Sequence, residues 1–365
     1  MTAIHTVPPF DITNPAEAVE ALPYLLGHQP DGPGGEVFLV TCDTDERRAL
    51  FSRRATVPPT GADPNTAAGD LIHFALSKLA EMGGGPAGVM IFVFPSQAGP
   101  DDRTSALRRH SAFAKALGRC AEQHGLAVLA NLCVTPTHWW PYEHSDAPTL
   151  PAGTPVHGPQ NPGPITMDAI AKGVPTPPSA AEIIAAIAPA TGPEADRCKA
   201  ALLKAARSRA VREAAHGKAT EKAHLRTTLD RLLRHGGDGT PLSDLTPGEC
   251  AELILGLRDR QTRDAAAEYI QPTELARARE LWSLLARRCV SDRTALAAAP
   301  LTLAGITAAA SGDPMAARII LQRARAADRA YVLADLLLQL LAQDGSISAF
   351  LEIVRAERAK RDPTA

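Results

Sequence analysis

The stretch Val89-Met90-Ile91-Phe92-Val93-Phe94 is apolar at every position. A strand without polar alternation is typical of a sheet that is covered on both faces. A helical pattern from about Thr66 to Met82 precedes it, and a second from Asp101 to His124 leads into another apolar strand, Ala127 to Val134. This alternation predicts an α/β layer with at least one right-handed parallel crossover.

The sequence before this stretch predicts an opening helix and a hairpin. Asn14 is expected to cap a helix that begins at Pro15, and Gly27 supplies a left-handed stop. Glu36 to Cys42 and Phe51 to Val57 have strand-like patterns and are joined by a polar connection of eight residues. The hairpin makes the predicted sheet mixed.

The chain changes character after residue 140. Residues 141–178 contain ten prolines and four glycines, which exclude a long helix or a central strand but leave room for short helices. Beyond Pro189 no strand pattern remains, and the helical patterns cover roughly 193–216, 218–235, 247–270, 273–290, 292–311, 313–327, 330–343 and 346–360. We therefore predict an α/β mixed-sheet N-terminal domain (1–140), a Pro-rich excursion with short helices (141–189) and an all-α C-terminal helical domain (190–365).

Composition limits the class of protein. The chain has 365 residues, 45% of them hydrophobic, which suits two globular domains. It contains no uninterrupted apolar run of membrane-spanning length, and its first ten residues lack the pattern of a secretory signal. The six cysteines are scattered without a C-x-x-C pair, which indicates a reduced compartment. We expect a cytoplasmic protein with no membrane association.

Standard catalytic and cofactor motifs are missing from the sequence. The glycines at 83–85 precede a strand, whereas a phosphate-binding loop follows one, and there is no Walker or G-x-S-x-G motif. His138, Glu143 and His144 form the densest ligand-like group, but their spacing is not typical of zinc. We therefore expect no cofactor and no metal.

Two features are candidate binding sites. Trp139 and Trp140 follow the last predicted strand and must point in different directions, so one can pack on the core while the other faces a cleft or partner. The favoured alternative is that both cover the edge of the sheet. Asp259 and Arg263, and likewise Arg260 and Asp264, have the i,i+4 spacing of helical ion pairs. If these ion pairs are exposed, they are ordinary surface pairs that contribute little to stability. If partly buried, they would line a cleft or join the two domains.

A third feature is basic. Residues 196–235 carry eleven Lys and Arg against four Asp and Glu. Over the whole chain, residues 1–178 have a net negative charge and residues 179–365 a net positive charge. Such a segment could follow a phosphate backbone through Arg197, Lys204, Arg207, Lys218 and Arg226. However, its basic residues fall all round the helices and no aromatic residue interleaves with them, which favours a solvated basic surface.

Several motifs occur in an order that resembles the actinobacterial domain-of-unknown-function family 4192. The first is the Pro-Tyr-Leu-Leu-Gly motif at 23–27. The others are Arg54 to Pro58, His138-Trp139-Trp140, Pro151 to Val156, Leu257 to Asp264 and Gly312 to Ala324. The resemblance implies the fold described above and carries no known activity.

Three functions remain open at this point. The absence of a catalytic motif and the large helical surface favour a non-enzymatic, cytoplasmic interaction or regulatory protein with a protein partner. The alternatives are a hydrolase-like enzyme with a site between the two domains, near Arg54, Trp139, Asp259 and Arg263, and a nucleic-acid-binding protein that uses helices 196–235.

Overall fold

The structure is a computed structural model that describes residues 8–29, 35–46, 48–59, 61–81, 83, 87–95, 107–146, 152–158, 161–234, 237–290, 294–343 and 347–361. The chain divides into two compact units, and the boundary in the sequence lies between Ser179 and Ala180. The first unit holds the sheet and includes the Pro-rich stretch. The second is helical. No helix in these described ranges is both long and apolar enough to cross a membrane.

The first unit is built on a six-stranded mixed sheet with the order β2-β1-β3-β4-β5-β6. Its elements are α1 (Pro15–Leu26), β1 (Glu36–Asp43), β2 (Arg48–Thr56), α2 (Pro64–Glu81), β3 (Ala87–Phe94), α3 (Ser111–Gln123), β4 (Ala127–Val134), β5 (His138–Pro141), β6 (Thr154–Pro155) and α4 (Pro164–Ala171). The predicted mixed sheet is confirmed. The connection between β1 and β2 is shorter than predicted because β2 begins at Arg48.

The apolar run at 89–94 lies at the centre of this sheet. It belongs to β3, which pairs antiparallel with β1 and parallel with β4. Because neighbouring side chains of a strand point to opposite faces, its residues divide between two cores. Ile91 packs in a core with Ile72 of α2 and Leu117 of α3, whereas Phe92 packs with Leu22 of α1. Helices therefore cover both faces of the sheet, as the apolar pattern predicts.

The opening helix has the caps that its sequence predicts. The side chain of Asn14 accepts a hydrogen bond from the backbone N–H of Ala16, and Pro15 occupies the first turn. Gly27 ends the helix with a φ of 78° and donates its backbone N–H to the carbonyl of Pro23. The caps place the residues after Gly27 in a fixed direction at the end of α1.

The second unit contains helices and no strand among its described residues. They are α5 (Ala180–Ile187), α6 (Gly192–His216), α7 (Lys218–Leu233), α8 (Pro247–Gly256), α9 (Arg260–Ala266), α10 (Pro272–Arg288), α11 (Ala298–Ala310), α12 (Pro314–Ala327), α13 (Val332–Gln343) and α14 (Ser348–Arg361). Together with the sheet in the first half, they confirm the predicted fold class.

One helical prediction is wrong. The pattern at 247–270 forms two helices, α8 and α9, separated at Leu257 to Asp259. Asp259 has an extended backbone and its carboxylate accepts a hydrogen bond from the backbone N–H of Thr262. Asp259 is therefore the N-cap of a new helix rather than a residue inside a continuous one.

Candidate functional site

Arg54 is enclosed by two partners of its own unit. Its guanidinium forms an ion pair with Glu36 at the start of β1, and its Nη1 lies 3.0 Å from Nε2 of His28. Because a guanidinium can only donate hydrogen bonds, Nε2 of His28 is the acceptor. The Nδ1–H of the same ring donates to the carbonyl of Gln29. These contacts select the neutral Nδ1–H tautomer of His28.

Burial reinforces the neutral state of His28. The ring is 1% exposed, and burial together with the positive charge of Arg54 lowers its pKa to about 4. Gln29 then anchors the end of the Pro-rich stretch, since its backbone N–H donates to the carbonyl of Pro178 at 2.8 Å. Arg54 thus contributes to a buried network that holds segments of the first unit together.

The two tryptophans of β5 point to opposite faces of the sheet. Trp140 is 3% exposed and belongs to the core under α2 and α3, whereas Trp139 is half-buried against the core under α1. Gly153, in the segment after β5, has a φ of +81° and sits where a Cβ would overlap the indole of Trp140. Both tryptophans are therefore part of the packing of the sheet.

The sheet does not bring Arg54 and Trp139 together. Arg54 is on the edge strand β2 and Trp139 is on β5, and three strands lie between them. With neighbouring strands about 4.8 Å apart, the separation across the sheet is about 19 Å. These two residues cannot contribute to one small site.

The helix motif at 257–264 is organised differently from its sequence prediction. The Asp259–Arg263 ion pair predicted from i,i+4 spacing does not form. Asp259 instead pairs with Lys222 of α7 at 2.9 Å, and Arg263 pairs with the adjacent Asp264 at 2.6 Å. The Arg260–Asp264 pair does form, at 3.5 Å, with the Arg260 side chain 86% exposed.

Arg263 connects distant parts of the helical unit. Its side chain is 16% exposed, lies over the ring of Tyr331 with 5.5 Å between Cζ and the ring centroid, and approaches the hydroxyl at 3.4 Å. Tyr331 immediately precedes α13. Asp259 and Arg263 therefore attach α9 to α7 on one side and to the start of α13 on the other, within a single unit.

The basic segment 196–235 separates into two groups of side chains. One group forms ion pairs inside the helical unit: Arg209 with Glu213, Arg212 with Glu221 and Glu252, Lys222 with Asp259, Arg231 with Asp238, and Arg234 with Asp230. The other group contains the candidates Arg197, Lys204, Arg207 and Lys218, which are exposed, and Arg226, which is half-buried. In the part of the chain that the structure describes, Arg197, Lys204 and Arg207 have no ion pair.

Arg212 lines a surface cavity of about 420 Å³, together with Thr220, Glu221, His224 and Glu252. Its guanidinium contacts both oxygens of Glu221, at 3.0 and 3.1 Å, and an oxygen of Glu252 at 2.7 Å. The hydrogen bonds from Arg212 lower the pKa of Glu221. These charges neutralise one another, so the residues that line the cavity serve to connect α6, α7 and α8 through ion pairs.

The exposed basic residues of α6 share one side of the helix with two apolar ones. Arg197, Leu203, Lys204, Arg207 and Val211 fall within an arc of about 120° at 100° per residue, and we call this surface the α6 outer face. Leu203 is 58% exposed and Val211 is 69% exposed. On another side of the helix, Arg209 and Arg212 are held in ion pairs with Glu213, Glu221 and Glu252.

Few residues of α6 are buried. Only Cys198, Leu202 and Ala205 are buried among its 25 residues, and all three lie in its first 14 positions. The second half is attached through Arg209 and Arg212. A long helix usually gains its stability by packing an apolar face, so α6 depends more than most helices on its ion pairs. Exposed large apolar residues also occur on α13 (Val332 and Leu336) and α14 (Ile353), and α6 combines them with exposed basic residues.

Several buried carboxylates are not among the candidates from the sequence, and two of them join separate helices. Glu20 of α1 is 5% exposed and accepts a hydrogen bond from the backbone N–H of Thr166, in the first turn of α4. Glu274 of α10 is 1% exposed and binds Arg358 of α14. The position of Glu20 on the apolar side of α1 is a local signal for the first. The partner of Glu274 is 84 residues away, and no local pattern indicates it.

Fold and geometry define a two-unit protein with a mixed-sheet α/β unit followed by a helical unit. The chain belongs to the family described as Domain of unknown function (DUF4192), whose family model matches residues 15–345. The match confirms the predicted resemblance to this family. Comparison with curated proteins and with solved structures gave no match. Among the described residues, no group of three or more His, Cys, Asp and Glu side chains is placed to hold a metal ion.

Proposed function

We propose that this chain is a non-enzymatic, cytoplasmic interaction or regulatory protein that binds a protein partner through the α6 outer face. The supporting observation is the combination of Arg197, Lys204 and Arg207 with exposed Leu203 and Val211 on one side of a poorly buried helix. Protein interfaces have apolar side chains at their centre and are enriched in Arg.

The apolar residues favour a protein partner over a nucleic acid. Burying Leu203 or Val211 against a phosphate backbone would gain little, whereas burial against an apolar side chain contributes roughly 25 cal/mol per Å². The α6 sequence, Gly192–His216, contains no Phe, Tyr or Trp on which bases could stack. A nucleic acid would also contact few cations here, because the neighbouring Arg209 and Arg212 are held in ion pairs.

Site-specific photocrosslinking in cells tests this proposal. A photoreactive residue at Val211 should give a discrete crosslinked protein species, and the species should disappear when Arg197, Lys204 and Arg207 are replaced by Glu. Val332, which is 66% exposed at the start of α13, is the matched control position and should give no such species. The proposal fails if position 211 yields no protein crosslink, or yields the same species as position 332.

A further inference from the structure

We infer that the partner segment recognised by the α6 outer face is an acidic amphipathic helix. This inference rests on the proposed function and adds to it the secondary structure and the charge of the partner. Three observations carry it: the satisfied backbone of α6, the length and composition of the exposed stripe, and the sign of its charges.

The backbone of α6 argues against an extended partner. Within a helix the N–H and C=O groups bond to each other, so the side of a helix offers no free backbone group to a neighbouring chain. An extended peptide lying on this face would lose water from its own backbone without gaining hydrogen bonds, which is costly. A helical partner satisfies its own backbone and needs only side-chain contacts.

The exposed stripe has the dimensions of a helix–helix contact. From Arg197 to Val211 it rises about 21 Å at 1.5 Å per residue, or about four turns. Ala200 is exposed between the larger side chains, and Ala210 and Ala214 are exposed near the C-terminal end of the stripe, so two helix axes can approach closely while Leu203 and Val211 enter the grooves of the partner.

The charges specify the polar side of the partner. Arg197, Lys204 and Arg207 lie beside the apolar positions, and the exposed acids of this helix, Glu194 and Asp196, are confined to its first turns. On the helix surface Arg207 lies between Leu203 and Val211, and Arg197 and Lys204 lie beyond Val211. A partner with Glu or Asp next to its apolar side chains matches this pattern, since carboxylates pair with guanidinium groups and like charges at an interface are repelled. A basic amphipathic helix is excluded by the same argument.

Fluorescence polarisation with designed peptides tests the inference on the full chain. The probe is an amphipathic helix of about 18 residues, with Leu and Ala on one side and Glu on its flanks. Its controls are a scrambled peptide of equal composition and a peptide in which every Glu is replaced by Lys. We expect the acidic helix to bind at least tenfold more tightly than either control, and to weaken several-fold between about 50 and 300 mM NaCl.

A charge-swap experiment distinguishes specific recognition from non-specific binding. The variant R197E/K204E/R207E changes three exposed side chains without ion pairs in the described structure, so it should keep the circular dichroism spectrum of the wild type. Its affinity for the acidic peptide should be at least tenfold lower than that of the wild type, and its affinity for the Lys peptide should be higher. Leu203→Gln, which adds no charge, should also weaken binding of the acidic peptide several-fold, because the interface needs the apolar contact.

Several outcomes would overturn the inference. One is equal binding of the acidic peptide to the wild type and to the charge-swapped variant. Another is the absence of binding by any peptide, and a third is tighter binding of a DNA or RNA duplex that displaces the acidic peptide. If the Val211 crosslink appears in cells but the peptides fail, the proposed function stands and the acidic-helix inference falls. If the crosslink is also absent, both fail.

Discussion

The buried ion pair between Glu274 and Arg358 provides the sharpest test of how the helical unit is held together. Arg358 binds both carboxylate oxygens of Glu274, at 2.7 and 2.8 Å, and also donates to the carbonyl of Glu268 at 2.8 Å. Glu274 is 1% exposed and Arg358 is 6% exposed. The pair fixes the C-terminal part of α14 to the N-terminal turn of α10.

Replacing Arg358 by Met leaves the Glu274 carboxylate buried without its counter-charge. Removal of one partner of a buried pair typically costs 3–5 kcal/mol, and we expect a loss of about 4 kcal/mol because a backbone carbonyl loses its donor as well. The double variant R358M/E274L removes both charges and fills the space with apolar atoms. It should therefore lose clearly less than the sum of the two single variants.

Denaturant unfolding followed by far-ultraviolet circular dichroism measures these differences, with each transition of the two-unit chain fitted separately. The matched control is Lys360→Met on the same helix, where the Lys360–Glu357 pair is exposed and should contribute less than about 0.5 kcal/mol. A loss below about 1 kcal/mol for Arg358→Met, or full additivity in the double variant, would refute the reasoning.

Three further outcomes are expected. The pKa of His28 falls from 6.5 to about 4 on folding, so the unfolded chain binds more protons between these values, and stability should drop by about 3 kcal/mol as pH falls from 6.5 to 4. His28→Gln should flatten that part of the pH profile, and an unchanged profile would show that His28 does not contribute. Asp259→Ala should lower the free energy of unfolding by about 1 kcal/mol and Asp259→Asn by much less, because the side chain acts mainly as an N-cap and Asn is also a good N-cap residue. Urea melts in which both variants lose about 3 kcal/mol would contradict this. Gly305→Ala should lower the free energy of unfolding by about 1–3 kcal/mol, because the Cβ of the new alanine would lie 2.7 Å from Cγ of Leu321. An unchanged stability in thermal or denaturant melting would mean that α11 and α12 move apart without loss.

The layered sheet could be predicted because its signals are local and repeated. The run at 89–94 is buried on both faces, and its alternate residues enter two cores covered by different helices. An apolar run of that length and composition is typical of a strand covered on both faces. The caps of α1 are equally local, since Asn14 and Gly27 act on backbone groups within two turns of their own positions.

The break between α8 and α9 shows where local patterns fail. Gly256, the last residue of α8, is a weak local signal for the break, but no Gly or Pro occurs between Leu257 and Asp264 and the charge spacing suits a continuous helix. The competing signal was the Asp259-x-x-Thr262 pattern of an N-cap, which the structure uses. An N-cap and an i,i+4 ion pair are alternative uses of the same carboxylate, and the pairing of Asp259 with Lys222 of α7 is a tertiary contact that no local spacing reveals.

The candidate site depended on tertiary structure in the same way. From the sequence, Arg207 and Arg212 are equivalent members of a basic segment, five residues apart on one helix. In the structure Arg212 is neutralised by Glu221 and Glu252, whereas Arg207 is exposed beside the apolar residues of the α6 outer face. Glu252 lies 40 residues after Arg212 in the sequence, on α8. Its ion pair with Arg212 is therefore a tertiary contact that no local pattern indicates. The net charge of a helix therefore says little about its partner. The information lies in which of its charges the fold leaves unneutralised, and on α6 those charges share one side of the helix with exposed apolar side chains.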